Sequence, residues 1–291
     1  PISGRRVLVI GGTRFMGVQL VKELVARGNE VTIATRGKTK DDFGMAITRL
    51  IMDVSDADSV KTALRGKYFD VVFDNLAYCS AYVNNVLSNI ICGKYIQLSS
   101  IASYAVRVPN IKEGHFDPYR LPVEICDTSV GYGRGKRQAE AIAYQHFKEI
   151  PVATVRIPYV TKTDRLYYYC KSIVKQQPMN ITDVSRGFTF VQDHEIGRFL
   201  PWLAAQDFTG PINLASEGMV TIQMILDYIG SKTNKQAIID ISNGSQSPFN
   251  EKTFSLNLDK VKQMGYRTSN INDWFWRLMD EYIARALREN S

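Results

Sequence analysis

The stretch GYGRGKRQAEA, residues 131–141, carries a tyrosine and a lysine four positions apart, Tyr132 and Lys136. On a helix the two share a face, and their head groups can converge on one point. A free phenol titrates near ~10. A neighbouring ammonium favours the phenolate, which brings that proton within reach of acid–base work near neutrality. Upstream, YIQLSSIASY sets Ser99 and Ser100 at the tip of an apolar, strand-like run, where a hydroxyl could bind a substrate oxygen. A Tyr-x-x-x-Lys spacing alone also describes an exposed pair on a surface helix. Its meaning depends on the elements that hold it.

The first of those elements is VLVIGGTRFMGVQLVKEL, Val7 to Leu24. An apolar strand runs into a glycine turn, and the turn opens onto a helix over 15–28 with Met16, Leu20, Val21, Leu24 and Val25 on one face. Gly11 and Gly12 end the strand, Thr13 and Arg14 make the turn, and Gly17 lies one turn into the helix, where a missing side chain allows close packing on the sheet. Backbone N–H groups near Phe15 and Met16 would face a pyrophosphate, favoured by the helix dipole. A tight strand–helix turn could exist without a ligand, but a strand before and an amphipathic helix after are the context of dinucleotide binding. Arg14 stands where a G-x-x-G-x-x-G loop has its middle glycine.

The second strand, EVTIATRGK, bears on which dinucleotide. NAD-specific sites place an Asp or Glu at its end for the ribose 2′-hydroxyl. Here Ala34, Thr35, Arg36 and Lys38 follow one another with no carboxylate. Arg36 and Lys38, joined by Arg14 from the turn, suit a 2′-phosphate, because a guanidinium fork matches phosphate oxygens. The expected cofactor is NADP(H). The alternative is NAD beside three surface charges.

LIMDV, DVVFDNLAY, YIQLSSI and VATVRIP continue the alternation of strand-like and helix-like stretches. Apolar runs buried on both faces imply a parallel sheet covered by helices. The expectation is an α/β protein: a Rossmann-type doubly wound parallel sheet over 1–160, and a smaller C-terminal α/β substrate domain over 161–291, with parts of 188–215 returning to the first. In the second, DRLYYYCKSIVKQQ, TIQMILDYIGSKT and NINDWFWRLMDEYIARALRE read as helices and GFTFVQ as extended. This smaller domain is expected at the carboxyl edge of the sheet, where such sheets bind ligands. Tyr167, Tyr168 and Tyr169 either line its pocket or fill its core.

Composition narrows the classes. The 291 residues are 45% hydrophobic and 22% charged, ordinary for a globular protein with a large core. No apolar run reaches the ~20 residues of a membrane span. The first residues do not resemble a signal peptide, and the four cysteines show no close pairing, so reduced thiols and a cytoplasmic location are expected. Three histidines without C-x-x-C or H-x-x-x-H spacing argue against a metal site. The net charge of +7 is spread along the chain and implies only weak, salt-sensitive attraction to nucleic acid.

GGTRFMG, DVVFDNLAY, LSSIASY, YGRGK, VRIP and FTFVQDHEIGRFL occur in the order and at the spacing of a known family. The chain resembles an extended short-chain dehydrogenase/reductase of the NAD-dependent epimerase/dehydratase type. That resemblance implies a Ser–Tyr–Lys triad of Ser100, Tyr132 and Lys136. In it Tyr132 is the acid/base, Lys136 lowers its pKa and holds the nicotinamide ribose, and Ser100, four before Tyr104, meets the substrate oxygen. It also implies that Asp53 and Val54 contact adenine, that Leu76 and Ala77 line the cofactor, and that Ile157 and Pro158 flank the nicotinamide. The implied activity is an NAD(P)-dependent reduction, epimerisation or dehydration at a hydroxyl or carbonyl carbon of a small molecule such as a nucleotide sugar. Dimers are common in this family, through a four-helix interface that would include the Tyr132 helix. RIPYVTKTD lacks the asparagine and glycine–proline that help hold a UDP-sugar, and His194 in DHE reads as a capping or packing residue. The GGTRF-x-G turn resembles a branch that includes chloroplast stem-loop RNA-binding proteins. An RNA-binding protein on this scaffold, or a redox sensor that binds cofactor without turnover, is therefore the alternative reading.

Overall fold

A computed structural model describes residues 1–161 and 164–291. The chain divides into two compact units, residues 1–106, 113–157 and 193–214 in the first, and 107–112, 158–192 and 215–291 in the second.

The first unit is built on a seven-stranded parallel sheet. Its elements in chain order are β1 (Arg6–Ile10), α1 (Met16–Ala26), β2 (Glu30–Thr35), β3 (Ile47–Ile51), α2 (Ala57–Leu64), β4 (Tyr68–Asp74), α3 (Ser80–Leu87), β5 (Ile91–Ser100), α4 (Tyr132–His146) and β6 (Val152–Ile157). The helix Asp193–Ala204 and the strand Gly210–Asn213 then return to it. The strand order is Gly210–Asn213, β6, β5, β4, β1, β2, β3. Crossing from β1–β2–β3 to β4–β5–β6 reverses the direction of winding, which makes the carboxyl ends of β1 and β4 the switch point where such sheets bind ligands. The strand β1 is apolar on both faces. Val7, Leu8, Val9 and Ile10 are all fully buried, as a strand covered by helices on each side requires.

Local chemistry explains the elements. Asp56 caps α2 by accepting from the N–H groups of Asp58 and Ser59. The helix α1 buries Gly17, Leu20, Val21 and Leu24, the face expected from its spacing. Gly17 is required by space, because a Cβ there would run into the Gly11 carbonyl oxygen and meet Gly12 Cα at 3.0 Å. One boundary differs from expectation. The third strand is Ile47–Ile51, so of LIMDV only Leu50 and Ile51 belong to it. Met52 makes one last bond to Thr35 O (2.8 Å), and the Asp53 N–H turns away to Ser59 Oγ (2.9 Å).

The second unit has its own core. Tyr159 packs against Phe188, Phe190, Phe249 and Phe254 at ring-centroid distances of 4.8–5.8 Å. The helices Arg165–Val174, Ile222–Thr233 and Phe275–Asn290 and several two-residue strands surround it. Tyr167 and Tyr169 are buried, so two of the three tyrosines in YYY are core residues. The departure RIPYVTKTD lies partly outside the described residues.

Candidate functional site

The turn after β1 forms one wall of a cleft of about 460 Å³ at the switch point. Gly11, Thr13, Arg14, Phe15 and Met16 line it from the turn, Thr35 through Thr39 from the end of β2, Met52 through Ser55 from beyond β3, and Asn75, Leu76, Tyr78 and Tyr82 from beyond β4. Ten of the residues singled out in the sequence therefore meet here: Gly11, Thr13, Arg14, Phe15, Met16, Arg36, Lys38, Asp53, Val54 and Leu76. Gly17 sits behind the wall as the packing contact. Ala77 does not face the cleft. It is fully buried in the hydrophobic cluster with Leu8, Val83 and Ala139, so only Leu76 lines the cleft from that pair.

The turn also accounts for Arg14. Positive φ angles fall on Gly11 (80°) and Phe15 (47°), and Arg14 is not among the positive-φ residues. A side chain at position 14 thus carries no left-handed backbone penalty. The penalty moves to Phe15, where a non-glycine residue in sparsely populated space costs on the order of 1–3 kcal/mol. Phe15 is half exposed, with its ring in the cleft wall. Arg14 turns toward the β2 end, donating from Nε and Nη2 to Thr39 Oγ1, each at 3.3 Å. Across the cleft, Ser55 donates its hydroxyl (2.6 Å) and N–H (3.0 Å) to Asp53 Oδ1. These bonds, with Arg36 and Lys38 nearby, hold the Asp53 carboxyl below the usual carboxylate range. Asn75 donates to Gly11 O (3.4 Å), while its own Oδ1 is buried without a partner among the described residues. Gly17 and Val18 give their N–H groups back to Arg14 O (3.0 Å) and Phe15 O (3.2 Å), so the donors left at the start of α1 among the described residues are the N–H groups of Phe15 and Met16. An anion accepting from these donors, with a polar group meeting Asn75, fits the donor set. The residues therefore suit a dinucleotide.

The Tyr132–Lys136 pair sits beside this cleft. Gly131 precedes α4 with φ 90°, and Tyr132 is its first residue. Gly135 lets α4 lie against the Tyr78 carbonyl oxygen, where a Cβ would clash. That contact brings Lys136 under the Tyr78 ring. Lys136 Nζ lies 4.9 Å from the Tyr78 ring centroid and 5.6 Å from that of Tyr132, and it donates to Leu98 O at 2.9 Å. The rings of Tyr78 and Tyr132 are 6.3 Å apart. Lys136 is 2% exposed while Tyr132 is 56% exposed: the ammonium is enclosed and the phenol reaches out. Burial pushes the Lys136 ammonium down to about 8, against the pull of Asp74, Glu140 and Cys79. Ser100 ends β5 and its Oγ accepts from the Ala102 N–H at 3.1 Å. Ser99, the other serine at that tip, faces inward and donates to Glu140, which also takes two bonds from Arg156 (3.0 and 2.7 Å). Ser99 is therefore structural. Ile157 ends β6, and Pro158 is the first residue of the next segment of the second unit. His194 lies on the helix Asp193–Ala204.

Sequence reasoning missed Tyr78, whose ring covers the lysine. The aromatic directly after Leu76–Ala77 was the available signal. It also missed Asp74 and Tyr95, whose burial no spacing rule reveals.

The fold is a Rossmann-type doubly wound parallel sheet, and it is shared with solved structures of epimerases. Residues 7–91 match the NAD dependent epimerase/dehydratase family. Over 132 residues, 40% of this chain, the sequence is 33% identical to the chloroplast stem-loop binding protein of 41 kDa b of Arabidopsis thaliana. That match spans 35% of the relative's length. Among solved structures, an epimerase from Methanothermobacter thermautotrophicus is similar with a TM-score of 0.73 at 16% identity, covering 99% of this chain and 93% of that one. MoeE5, solved with UDP-glucuronic acid and NAD, is similar with a TM-score of 0.71 at 16% identity, covering 97% and 100%. No helix among the described residues is long and apolar enough to cross a membrane.

Proposed function

We propose that this chain is an NADP(H)-dependent enzyme of the epimerase, dehydratase or reductase type, with Ser100, Tyr132 and Lys136 as its catalytic residues. The observation that carries the reading is the Lys136 ammonium, enclosed against the rings of Tyr78 and Tyr132 beside the glycine-turn cleft. An enclosed positive charge stabilises a phenolate far better than a solvated one. Tyr132 therefore moves a proton to or from a substrate oxygen, and the Ser100 hydroxyl holds that oxygen. A bound nicotinamide would supply or accept the hydride. The backbone of the turn and the α1 N-terminus would receive the pyrophosphate, Asp53 and Val54 would contact the adenosine, and Ile157 and Pro158 are the residues that the resemblance would give to the nicotinamide. Arg14, Arg36 and Lys38 form one basic rim with no carboxylate at the end of β2, which favours a 2′-phosphate over a 2′-hydroxyl. The substrate is a small molecule bearing a hydroxyl or carbonyl. Nucleotide sugars are the class carried by MoeE5.

The likeness to a stem-loop binding protein favours a second reading, RNA binding on the same scaffold. One experiment separates the two. The protein is titrated with NADPH and NADH by fluorescence, and with a stem-loop RNA at low and high salt. Saturable NADPH binding, with RNA binding that is weak and lost as salt rises, supports the enzyme. RNA binding that survives high salt, with neither nucleotide bound, overturns it.

A further inference from the structure

Beneath α4 the sheet carries a layer of polar side chains that the proposed mechanism does not use. Parallel register sets Asp74 of β4 beside Gln97 of β5, and Gln97 beside Thr154 of β6. Tyr95, Gln97 and Ser99 alternate onto this same face. Glu140, one turn beyond Lys136, is matched within the layer, because Arg156 gives it two charged hydrogen bonds and both side chains are fully buried. Asp74 is equally buried but meets no guanidinium among the described residues. Its Oδ2 accepts from the Tyr95 hydroxyl (2.7 Å) and its Oδ1 from the Leu76 N–H (2.9 Å). Both oxygens accept, the pattern of an ionised carboxylate. Lys136 presents the complement, a buried ammonium whose hydrogen bond goes to the neutral Leu98 carbonyl. Both side chains thus reach the Tyr95–Leu98 stretch of β5, one through Tyr95 and the other through Leu98. Between them in the register, Gln97 has both polar side-chain atoms buried with no partner among the described residues. A buried amide left unpartnered is costly, which marks this part of the layer as polar by construction.

We propose that Asp74 is the counter-ion of Lys136 and a positioning residue for the proposed chemistry, with the unpartnered amide of Gln97 beside it in the sheet register. This rests on the reading of Lys136 as a site residue. A buried charge without a partner is expelled or neutralised. Lys136 keeps its ammonium because Asp74 balances it, and Tyr132 feels a full positive charge as a result. The groups facing Lys136 are Asp74 from β4, the Leu98 carbonyl from β5, Tyr78 and Cys79 from the segment before α3, and Tyr132 and Glu140 from α4 itself. Of the two carboxylates, Glu140 is neutralised by Arg156. Burial pushes up the Asp74 carboxyl while Lys136 pulls it back, and Asp74 heads the charges that support Lys136.

The test uses wild type, Asp74→Asn, Asp74→Glu, Lys136→Met and the double variant Asp74→Asn/Lys136→Met. Asn keeps the shape and the Leu76 bond but removes the charge. In NADPH titrations across pH 6–10, wild type is expected to lose affinity on the alkaline side as Lys136 deprotonates near pH about 8. Lys136→Met abolishes that limb and Asp74→Glu retains it. Asp74→Asn moves it down by one pH unit or more, a tenfold loss of proton affinity. A purely structural Asp74 would lower stability and leave the limb in place, and that result overturns the proposal. Urea unfolding at pH 7 gives a reading without cofactor: the double variant is expected to be at least as stable as Asp74→Asn alone, since it removes the stranded charge. Additive losses would refute the pairing. If NADPH fails to bind at all while the stability cycle is non-additive, the cofactor reading fails and the pairing stands.

Discussion

Replacing Arg14 by Gly and Arg36 by Ala in one variant strips two of the three cations from the rim of the cleft and leaves Lys38. The expected loss follows from their setting. A charged hydrogen bond contributes roughly 1.5–3 kcal/mol where solvent is excluded. Both arginines are solvent-exposed, which pulls each contribution down toward the roughly 0.2–1 kcal/mol of a surface ion pair. Two contacts partly shielded by the bound nucleotide then sum to about 1.4 kcal/mol, a tenfold change in Kd. The substitutions should not disturb the turn. Arg14 sits outside the left-handed region, and among the described residues its side chain is tied to Thr39, at 3.3 Å. NADPH affinity is therefore expected to fall at least tenfold while NADH affinity barely moves, and the contrast should shrink as salt screens the rim. Fluorescence titration of both nucleotides against wild type and the double variant measures it. Wild type binding NADH as tightly as NADPH would refute the selection argument. Equal loss of both nucleotides would show that the arginines support the turn or the pyrophosphate rather than a 2′-phosphate.

Tyr132→Phe deletes one oxygen from a half-exposed ring. It is expected to leave NADPH binding intact and to lower turnover by ~10²–10⁴-fold; a variant keeping more than about half of wild-type turnover would remove Tyr132 from the mechanism. Tyr78→Ala uncovers Lys136. Because burial is the dominant cause of the depressed Lys136 pKa, water entering there should raise it from about 8 toward the ordinary lysine range. Lys136 then stays charged to higher pH, and the alkaline limb of NADPH binding moves up. A limb that moves down would mean that the ring's attraction for the ammonium outweighs its shielding.

The first unit was legible because its signals are local. The inner strands β1, β2 and β4 carry short apolar runs, and each glycine of the turn answers to a packing contact or a φ angle within a few residues. LIMDV failed because apolar character does not reveal where a ladder stops. The Asp53 N–H leaves β2 for Ser59 Oγ, a competition for one donor that residue types alone do not decide. Ala77 failed for a related reason. The Tyr78 N–H turns back to Leu76 O at 2.8 Å, and Ala77, at the middle of that tight turn, is fully buried.

The chemistry of Lys136 was legible in part, and the illegible part is the more informative. The four-residue spacing from Tyr132 gives a shared helix face, which is local. Whether the ammonium is buried depends on residues 38–62 positions away: the Leu98 carbonyl, the Tyr78 ring and the Asp74 carboxylate. These meet only because β4 and β5 are in register and because Gly135 lets α4 sink onto Tyr78. A surface helix with the same Tyr-x-x-x-Lys spacing would carry a solvated lysine with no leverage on the phenol. Gly135 therefore separates the two meanings of the motif. It is the one residue of GYGRGKRQAEA whose lack of a side chain decides whether the lysine is enclosed.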